Sequence, residues 1–193
     1  MAKLVNDGTK KNIVLNKIQQ MVSKLDQIDS DKAVRLTNWL LEKTDYYYKI
    51  ENNLLFQKYP NKIGRGDIVL VQLGMNIAPE LSDDNTGKHF CVVWAQQGTN
   101  FIVIPLTKQT QPPSNKLAVP LGVISGMPNG VATYAKLDAI RSVSIRRLYR
   151  IQGTTDGKIT LSQDLQNNIS KLFLKEFVGI DKFTIDKNNL DNV

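Results

Sequence analysis

Two neighbouring residues of the sequence could move a proton and stabilise negative charge. His89, the only histidine of the chain, directly follows Lys88. Imidazole gains and loses a proton near neutral pH, and the lysine ammonium beside it supplies a positive charge. Either the two residues take part in a reaction, or His89 is an ordinary residue at the start of a strand.

A second pair of residues that could take part in a reaction consists of Lys136 and Asp138, which lie two residues apart in a predicted strand. Side chains at this spacing leave the same face of a strand, so the ammonium and the carboxylate are expected to meet. They could serve as acid and base. Alternatively, they form an ion pair that only supports the fold.

Metal and disulfide chemistry find little support in the composition. Cys91 is the only cysteine and lies in the apolar run HFCVVW, so we expect a buried, inert thiol. One cysteine and one histidine cannot form a zinc site. We therefore expect no metal and no cofactor.

Charge is distributed unevenly along the 193 residues, whose formal net charge is +7. Residues 61–150 contain ten Lys or Arg against five Asp or Glu. Such a basic surface attracts phosphate backbones, although it can also be only a solubilising face. The N-terminus lacks the apolar core of a signal peptide, and no stretch approaches the ~18 apolar residues of a membrane span. The sequence therefore predicts a cytoplasmic protein with no membrane partner.

Residues 9–58 have the pattern of two amphipathic helices. Apolar residues recur at spacings of three and four in the first helix and every seven residues in the second. Asp29 offers an N-cap oxygen for the second helix, and Pro60 is expected to end it. We predict a helical hairpin that packs within the chain, on a second copy or on a partner. Its apolar stripes consist of Val14, Ile18, Met21 and Leu25, then Ala33, Leu40, Tyr47 and Leu54.

After Pro60, short β-prone runs follow one another with turn residues and no helices between them. Five or six such strands predict a small antiparallel barrel rather than a parallel sheet. A final helix is predicted from Ser162. The sequence thus divides into a helical hairpin (1–60), a barrel domain (61–180) and a polar tail (181–193). The runs are Asp67–Leu73, His89–Ala95, Phe101–Thr107, Leu117–Val123 and Val131–Leu137, with a further strand or helical turn in Ser142–Ile151.

Three segments of the barrel region, in this order, resemble the MazF/PemK/Kid family of toxins. They are R-G-D-I-V-L-V at Arg65–Val71, the paired strands that end in P-L-T-K at Pro105–Lys108, and K-L-D-A-I-R-S-V-S at Lys136–Ser144. The resemblance covers about residues 64–178. It implies an α+β fold: an SH3-like small antiparallel β-barrel with a C-terminal helix, to which this chain adds the N-terminal helical hairpin.

The resemblance also implies a function. Family members are toxins of toxin–antitoxin systems and act as metal-independent endoribonucleases on single-stranded RNA. A ribose 2′-hydroxyl attacks the adjacent phosphorus, so only RNA can be cleaved in this way. A homodimer and an antitoxin partner, protein or structured RNA, are implied as well. Because the same barrel hosts gyrase poisons, the alternative is a non-cleaving regulator that binds DNA, RNA or protein.

The same resemblance assigns catalytic positions. The family's catalytic arginine falls on His89, and Phe90 stands where the family has proline. Thr107 matches a threonine that contacts the scissile phosphate or a flanking sugar, or it is an ordinary strand residue. Lys136 and Asp138 match a catalytic Arg-x-Asp of one branch of the family. The catalytic candidates are therefore Lys88, His89, Thr107, Lys136 and Asp138.

Further residues are candidates for contacts with the substrate. Glu80 lies in a long loop that, in the family, closes over RNA and contacts the antitoxin. Arg141 and Ser142 match an Arg-Thr pair whose arginine braces the barrel and the loop. A basic cluster either follows the RNA backbone or protects a sheet edge; it consists of Arg146, Arg147 and Arg150. Four aromatic residues either stack on bases or belong to the core: Phe90, Trp94, Phe101 and Tyr134.

Overall fold

The computed structural model describes residues 3–54, 58–74, 88–108, 114–127 and 130–180. The chain divides into two compact units, residues 1–55 and residues 56–193. The first unit is helical, and the second is built on an antiparallel sheet followed by a helix. This confirms the predicted α+β fold class. The predicted polar tail lies outside the described residues, and the predicted boundary after residue 60 stays a prediction.

Two helices make up the first unit, α1 at Gly8–Leu25 and α2 at Ser30–Glu51. Both begin at an aspartate that caps the helix. The carboxylate of Asp7 accepts a hydrogen bond from the amide of Lys10 at 3.0 Å, and that of Asp29 accepts one from the amide of Lys32 at 2.9 Å. Each bond satisfies an amide that has no partner within its helix, so the predicted cap at Asp29 is confirmed.

The prediction that α2 continues to Pro60 is wrong, because the helix ends at Glu51. Asn53 takes a left-handed conformation with φ of 50°. The amide of Leu54 then donates to the carbonyl of Lys49 at 2.9 Å. A left-handed residue followed by this bond is the common way to close a helix, and asparagine replaces the usual glycine here.

The apolar stripes of α1 and α2 remain largely open to solvent. Every residue of both helices is described, and none is buried. Among the stripe residues, Ile18 is 47% exposed and Tyr47 is 62% exposed. Burial of apolar area is the main source of tertiary stability, so this unit receives little of that stabilisation from its own helices.

Eight strands form the sheet of the second unit among the described residues. All of the recorded pairs are antiparallel, in the order β4-β5-β3-β2-β1-β7, with β6 added on β3 and β8 on β1. The strands are β1 Asp67–Val71, β2 His89–Gln97, β3 Asn100–Lys108, β4 Ala118–Gly122, β5 Thr133–Lys136, β6 Arg141–Ser144, β7 Leu148–Tyr149 and β8 Ile159–Thr160.

Strand β3 organises the sheet because it pairs with three other strands. It forms a hairpin with β2 through Gly98, whose φ of 58° is favourable for glycine at a tight turn. The first half of β3 pairs with β6, whereas its second half, from Leu106, pairs with β5. A strand that changes partner along its length lets a sheet curve, as a small barrel requires.

The sheet separates two hydrophobic clusters. One contains Ile68, Val92 and Ile104, and helix α3 at Gln163–Phe173 contributes Ile169 to it. The other contains alternate residues of the same strands, among them Cys91. Alternation along β1, β2 and β3 therefore fills both clusters. Helix α3 begins directly after its N-cap Ser162, as the sequence predicts.

A buried carboxylate ties the start of β1 to its surroundings. Asp67 is 3% exposed. Its Oδ2 accepts hydrogen bonds from the amide of Gly64 and from Nζ of Lys158, both at 2.7 Å. Its Oδ1 accepts one from the hydroxyl of Thr160 at 2.6 Å. The aspartate of the R-G-D segment therefore serves the fold by linking β1 to β8.

Candidate active site

His89 and Thr107 lie at one end of the β2–β3 ladder. The register of this pair ends with Cys91 opposite Pro105; β2 extends two residues further, to His89, and β3 extends three residues further, to Lys108. The same register, continued to these ends, sets His89 opposite Thr107. The ends stay close, because Nζ of Lys108 lies 5.5 Å from the centre of the Phe90 ring.

Alternation along the strands sorts these residues onto two faces. His89 and Thr107 share the face of the cluster around Cys91, whereas Phe90 and Lys108 share the other face. Both His89 and Thr107 are partly exposed. An imidazole and a hydroxyl therefore lie on the same face at this end of the two strands.

Lys136 continues this arrangement on the next strand. Tyr134 of β5 pairs with Thr107, so it faces the same side, and Lys136 lies two residues further along β5. The side chain of Tyr134 is 9% exposed. Three neighbouring strands, β2, β3 and β5, therefore contribute an imidazole, a hydroxyl and an ammonium to one face.

An ion pair joins Lys136 to Asp138, with Nζ 3.6 Å from Oδ2. The expectation that both residues lie in one strand is wrong, since β5 ends at Lys136 and Asp138 belongs to a single 3-10 turn, Leu137–Ala139. The turn still brings the two groups together. Asn115 adds a second contact, because its Nδ2 donates to Oδ2 of Asp138 at 2.8 Å. The carboxylate is thereby held in position beside Lys136.

Lys88 lines a hollow to which His89 does not contribute. Its Nζ lies 4.2 Å from the centre of the Tyr149 ring, a cation–π contact. This hollow has a volume of about 420 Å³, and Lys58 and Arg150 also line it. No lining residue in the described part of the chain is acidic. Three cations around one cavity create a positive potential suited to an anion, which we call the basic pocket.

Tyr59 lies next to the basic pocket. Burial raises the pKa of its hydroxyl above the ordinary value, Arg146 lowers it and Tyr149 raises it further. Tyr59 therefore keeps its proton throughout the neutral range. Its backbone carbonyl accepts a hydrogen bond from Nη1 of Arg150 at 3.1 Å, which holds this segment against β7.

The candidates for substrate binding do not share one location in the structure. Arg141 lies opposite Val103, and its Nε donates to the carbonyl of Ala139 at 3.5 Å, so it supports the turn that holds Asp138. Ser142 is exposed on β6, opposite Ile102. Glu80 lies outside the described residues.

The predicted basic cluster has mainly structural contacts. Both Nε and Nη2 of Arg147 are buried, and its carbonyl accepts a hydrogen bond from Gln72 at 3.0 Å. Arg150 donates to two carbonyls, those of Tyr59 and Thr155. Arg146 is partly buried beside Tyr59. Of these three arginines, Arg150 lines the basic pocket.

Several residues of this region were missed by sequence reasoning. Asn115 and Tyr149 contact Asp138 and Lys88 respectively, and no motif or periodicity singles them out. Lys108 belongs to the P-L-T-K segment, but its contact with Phe90 is not predicted. Of the four aromatic candidates, Phe101 and Tyr134 are buried, whereas Phe90 and Trp94 are partly exposed.

In the part of the chain that the structure describes, no group of three or more His, Cys, Asp or Glu residues is arranged to hold a metal ion. None of the described helices is long and apolar enough to span a bilayer.

Comparison with known proteins identifies the second unit. A family model described as "PemK-like, MazF-like toxin of type II toxin-antitoxin system" matches residues 64–173, more than half of the chain. Among solved structures, Mycobacterium tuberculosis toxin MazF-mt6 is 15% identical, with 56% of this chain and 92% of that chain covered and a TM-score of 0.40. No curated protein matches. On the strength of the family match, the chain belongs to the PemK-like, MazF-like toxins of type II toxin–antitoxin systems.

Proposed function

We propose that this toxin is an endoribonuclease that cleaves single-stranded RNA through attack of a ribose 2′-hydroxyl on the adjacent phosphorus, without a metal ion. The observation that carries the proposal is the shared sheet face on which β2, β3 and β5 present His89, Thr107 and Lys136. This set contains a proton-transfer group, a hydrogen-bond donor and a fixed positive charge, which are the three kinds of group that the reaction requires.

In the proposed reaction, His89 takes the proton from the 2′-hydroxyl as its oxygen bonds to phosphorus. Lys136 and the hydroxyl of Thr107 stabilise the negative charge that develops on the non-bridging oxygens. The bond from phosphorus to the 5′-oxygen breaks, and that oxygen takes up a proton from solvent water, while His89 releases the proton it accepted to solvent. The products are a 2′,3′-cyclic phosphate and a 5′-hydroxyl end. Asp138 acts through Lys136 as a positioning residue.

We propose that Lys88 binds the flanking RNA backbone rather than the reacting phosphate. Its contact with Tyr149 holds the ammonium in the basic pocket, together with Lys58 and Arg150. Phosphates bound there would set the direction of the strand without reading its sequence. Membership of a type II system implies an antitoxin partner. We further propose a cytoplasmic homodimer, as the family resemblance suggests.

Incubation of the purified full-length protein with mixed-sequence RNA in EDTA tests this function. Cleavage to 2′,3′-cyclic phosphate ends is expected, and a matched DNA of the same sequence is expected to remain intact. Retention of RNA without scission would contradict the proposal and favour a non-cleaving regulator. Inhibition of gyrase supercoiling with intact RNA would point to a gyrase poison.

Replacing Lys136 with alanine is expected to slow RNA cleavage by about tenfold to a hundredfold. Loss of one donor to a developing oxyanion costs about 10²–10³-fold in a water-excluded site, and the effect falls when solvent screens the charge. The Lys136 side chain is 28% exposed. Single-turnover rates at saturating protein measure the effect. Lys175→Ala, which removes an exposed charge from the segment after α3, is the matched control; equal slowing in both variants would contradict a specific role.

Replacing Lys88 with alanine is expected to weaken RNA binding uniformly across sequences. Each neutralised phosphate releases a counterion, so the slope of log affinity against log salt should become shallower by about 1. Fluorescence anisotropy of labelled RNA from low to high KCl, in a His89→Ala background, measures this slope. An unchanged slope of log affinity against log salt, together with normal affinity, would show that Lys88 does not contact the RNA backbone.

A further inference from the structure

A second cavity lies between β2 and α3, away from the face of His89. Its volume is about 770 Å³, and it is bordered by Arg65, Trp94, Gln163, Asn167 and Lys171. This is within the range of small-ligand sites, roughly 300–1,000 Å³. The β2–β3 ladder has a bulge between Val93 and Ala95, at Trp94. Bulges re-aim side chains and are frequent beside functional sites.

Arg65 forms a fixed, planar surface within this cavity. Its guanidinium carbon lies 4.0 Å from the centre of the Trp94 ring. Its Nη2 donates to Oγ of Ser170 at 3.0 Å, and that hydroxyl donates to the carbonyl of Gln166 at 3.0 Å. The guanidinium is thus held on one face and at one edge, although Arg65 is an exposed residue. Exposed arginines ordinarily sample many rotamers, so this one is already ordered for a planar ligand.

Polar groups of α3 line the cavity beside this surface. Nε2 of Gln163 donates to Oδ1 of Asn167 at 3.1 Å. This bond uses one polar atom of each amide, so each retains a second one, an acceptor on Gln163 and a donor on Asn167. Such a pair matches the mixed donors and acceptors along the edge of a nucleobase.

The charge of the cavity favours an anion. Arg65 and Lys171 are its two cations, and none of its lining residues within the described ranges is acidic. A ligand that combines a flat aromatic ring, a polar edge and a negative charge fits all of these features. A nucleotide of a single strand has this chemistry, because its base is unpaired and free to stack.

We propose that this cavity binds a nucleotide of single-stranded RNA. The base stacks on the outer face of the Arg65 guanidinium, the amides of Gln163 and Asn167 contact the base edge, and Lys171 binds the phosphate. Trp94 lies five residues beyond His89, about 16 Å along β2 at roughly 3.3 Å per residue. The site is therefore a second contact that supports binding apart from the point of cleavage. It rests on the proposed RNA substrate, but not on the cleavage mechanism.

Intrinsic fluorescence gives a direct test, because the chain contains only two tryptophans, Trp39 and Trp94. In a Trp39→Phe variant of the full chain, Trp94 is the sole reporter. The probe is a mixed-sequence oligonucleotide with 2′-O-methyl riboses, which cannot undergo 2′-hydroxyl attack. Titration is expected to quench Trp94 fluorescence in a saturable manner.

Substitutions within the cavity separate the nucleotide site from a purely structural contact. Arg65→Lys keeps the positive charge but removes the planar guanidinium on which the base would stack. Lys171→Ala removes the proposed contact with the phosphate. Each is expected to raise the oligonucleotide concentration at the midpoint of quenching by roughly fivefold or more, because one stacked base or one charge contact is lost. Lys175→Ala is the matched control and should leave the midpoint unchanged. Thermal melting confirms that each variant is folded.

Four results would overturn the proposal. The first is unchanged Trp94 fluorescence while anisotropy reports bound oligonucleotide. The second is a quenching midpoint that is the same in Arg65→Lys and Lys171→Ala as in the control Lys175→Ala. The third is an unfolded Arg65→Lys protein together with an unaffected Lys171→Ala midpoint. The fourth is quenching by an acidic peptide but not by RNA, which would assign the cavity to a protein partner. Quenching of Trp94 without RNA cleavage would contradict the proposed nuclease activity but support this nucleotide site. RNA cleavage without quenching would support the nuclease activity and contradict this site.

Discussion

The His89→Ala variant is expected to cleave RNA about 10²–10⁴-fold more slowly than the natural protein, the typical contribution of a positioned acid or base. His89 is the only histidine, so no other imidazole can replace it. Single-turnover cleavage of a labelled RNA gives the rate. Binding should change little, because the proposed backbone contacts belong to the basic pocket and the cavity beside Trp94.

Two companion variants define the role of His89. His89→Gln retains hydrogen bonding but cannot exchange a proton near neutral pH, so it should be as slow as His89→Ala. Gln97→Ala changes an exposed side chain at the opposite end of the same strand and should cleave normally. Full activity in His89→Gln would show that the imidazole acts as a hydrogen-bond partner and not as a proton carrier.

The Asp67→Ala variant is expected to lower the free energy of unfolding by about 3–5 kcal/mol, since it leaves the largely buried ammonium of Lys158 without its carboxylate, with the carbonyl of Lys62 as a remaining hydrogen-bond acceptor. The Lys158 side chain is only 15% exposed and reaches Oδ2 of Asp67 at 2.7 Å. The substitution also removes the acceptor of the Gly64 amide and of the Thr160 hydroxyl. Chemical denaturation followed by circular dichroism measures the loss.

Two further variants test this explanation of Asp67. Replacing the pair together, as Asp67→Asn with Lys158→Met, removes both charges and should be less destabilising than Asp67→Ala alone. Asp156→Ala is the matched control: this carboxylate is exposed and accepts only a long bond, 3.4 Å, from Asn61, so its loss should cost below about 0.5 kcal/mol. Equal losses for Asp67→Ala and Asp156→Ala would contradict a role of the buried network.

The sequence predicts the sheet well because its signals are local. Alternation and turn residues delimit the five runs that became β1 to β5, and Ser162 marks the start of α3. Strand β7 lies in Ser142–Ile151, where a further strand or helical turn is predicted. The two-residue strand β8 lies outside every predicted run, because pairing with β1 creates it and no periodicity fits in two residues. The end of α2 is not predicted for another reason: Asn53 takes the left-handed conformation usual for glycine, and neither glycine nor proline marks that position in the sequence.

Residues of the candidate site were predicted one by one, but their grouping required the fold. Lys88 and His89 are neighbours in sequence, yet Lys88 lines the basic pocket, whereas His89 begins β2 on the face of the cluster around Cys91. Conversely, His89, Thr107 and Lys136 come together only through the register of β2, β3 and β5. The support of Asp138 by Asn115 spans 23 residues, and sequence spacing contains no signal for it.

The most direct measurement concerns the nucleophile. Once the broken bond of a cleaved RNA is mapped, a matched strand is synthesised with 2′-deoxyribose only at the nucleotide 5′ of that bond. The all-ribose strand should be cut, whereas the singly substituted strand should bind with similar affinity and remain intact. Cleavage of the substituted strand at the same bond would mean that water or another group attacks the phosphorus, and the proposed chemistry of His89, Thr107 and Lys136 would be wrong.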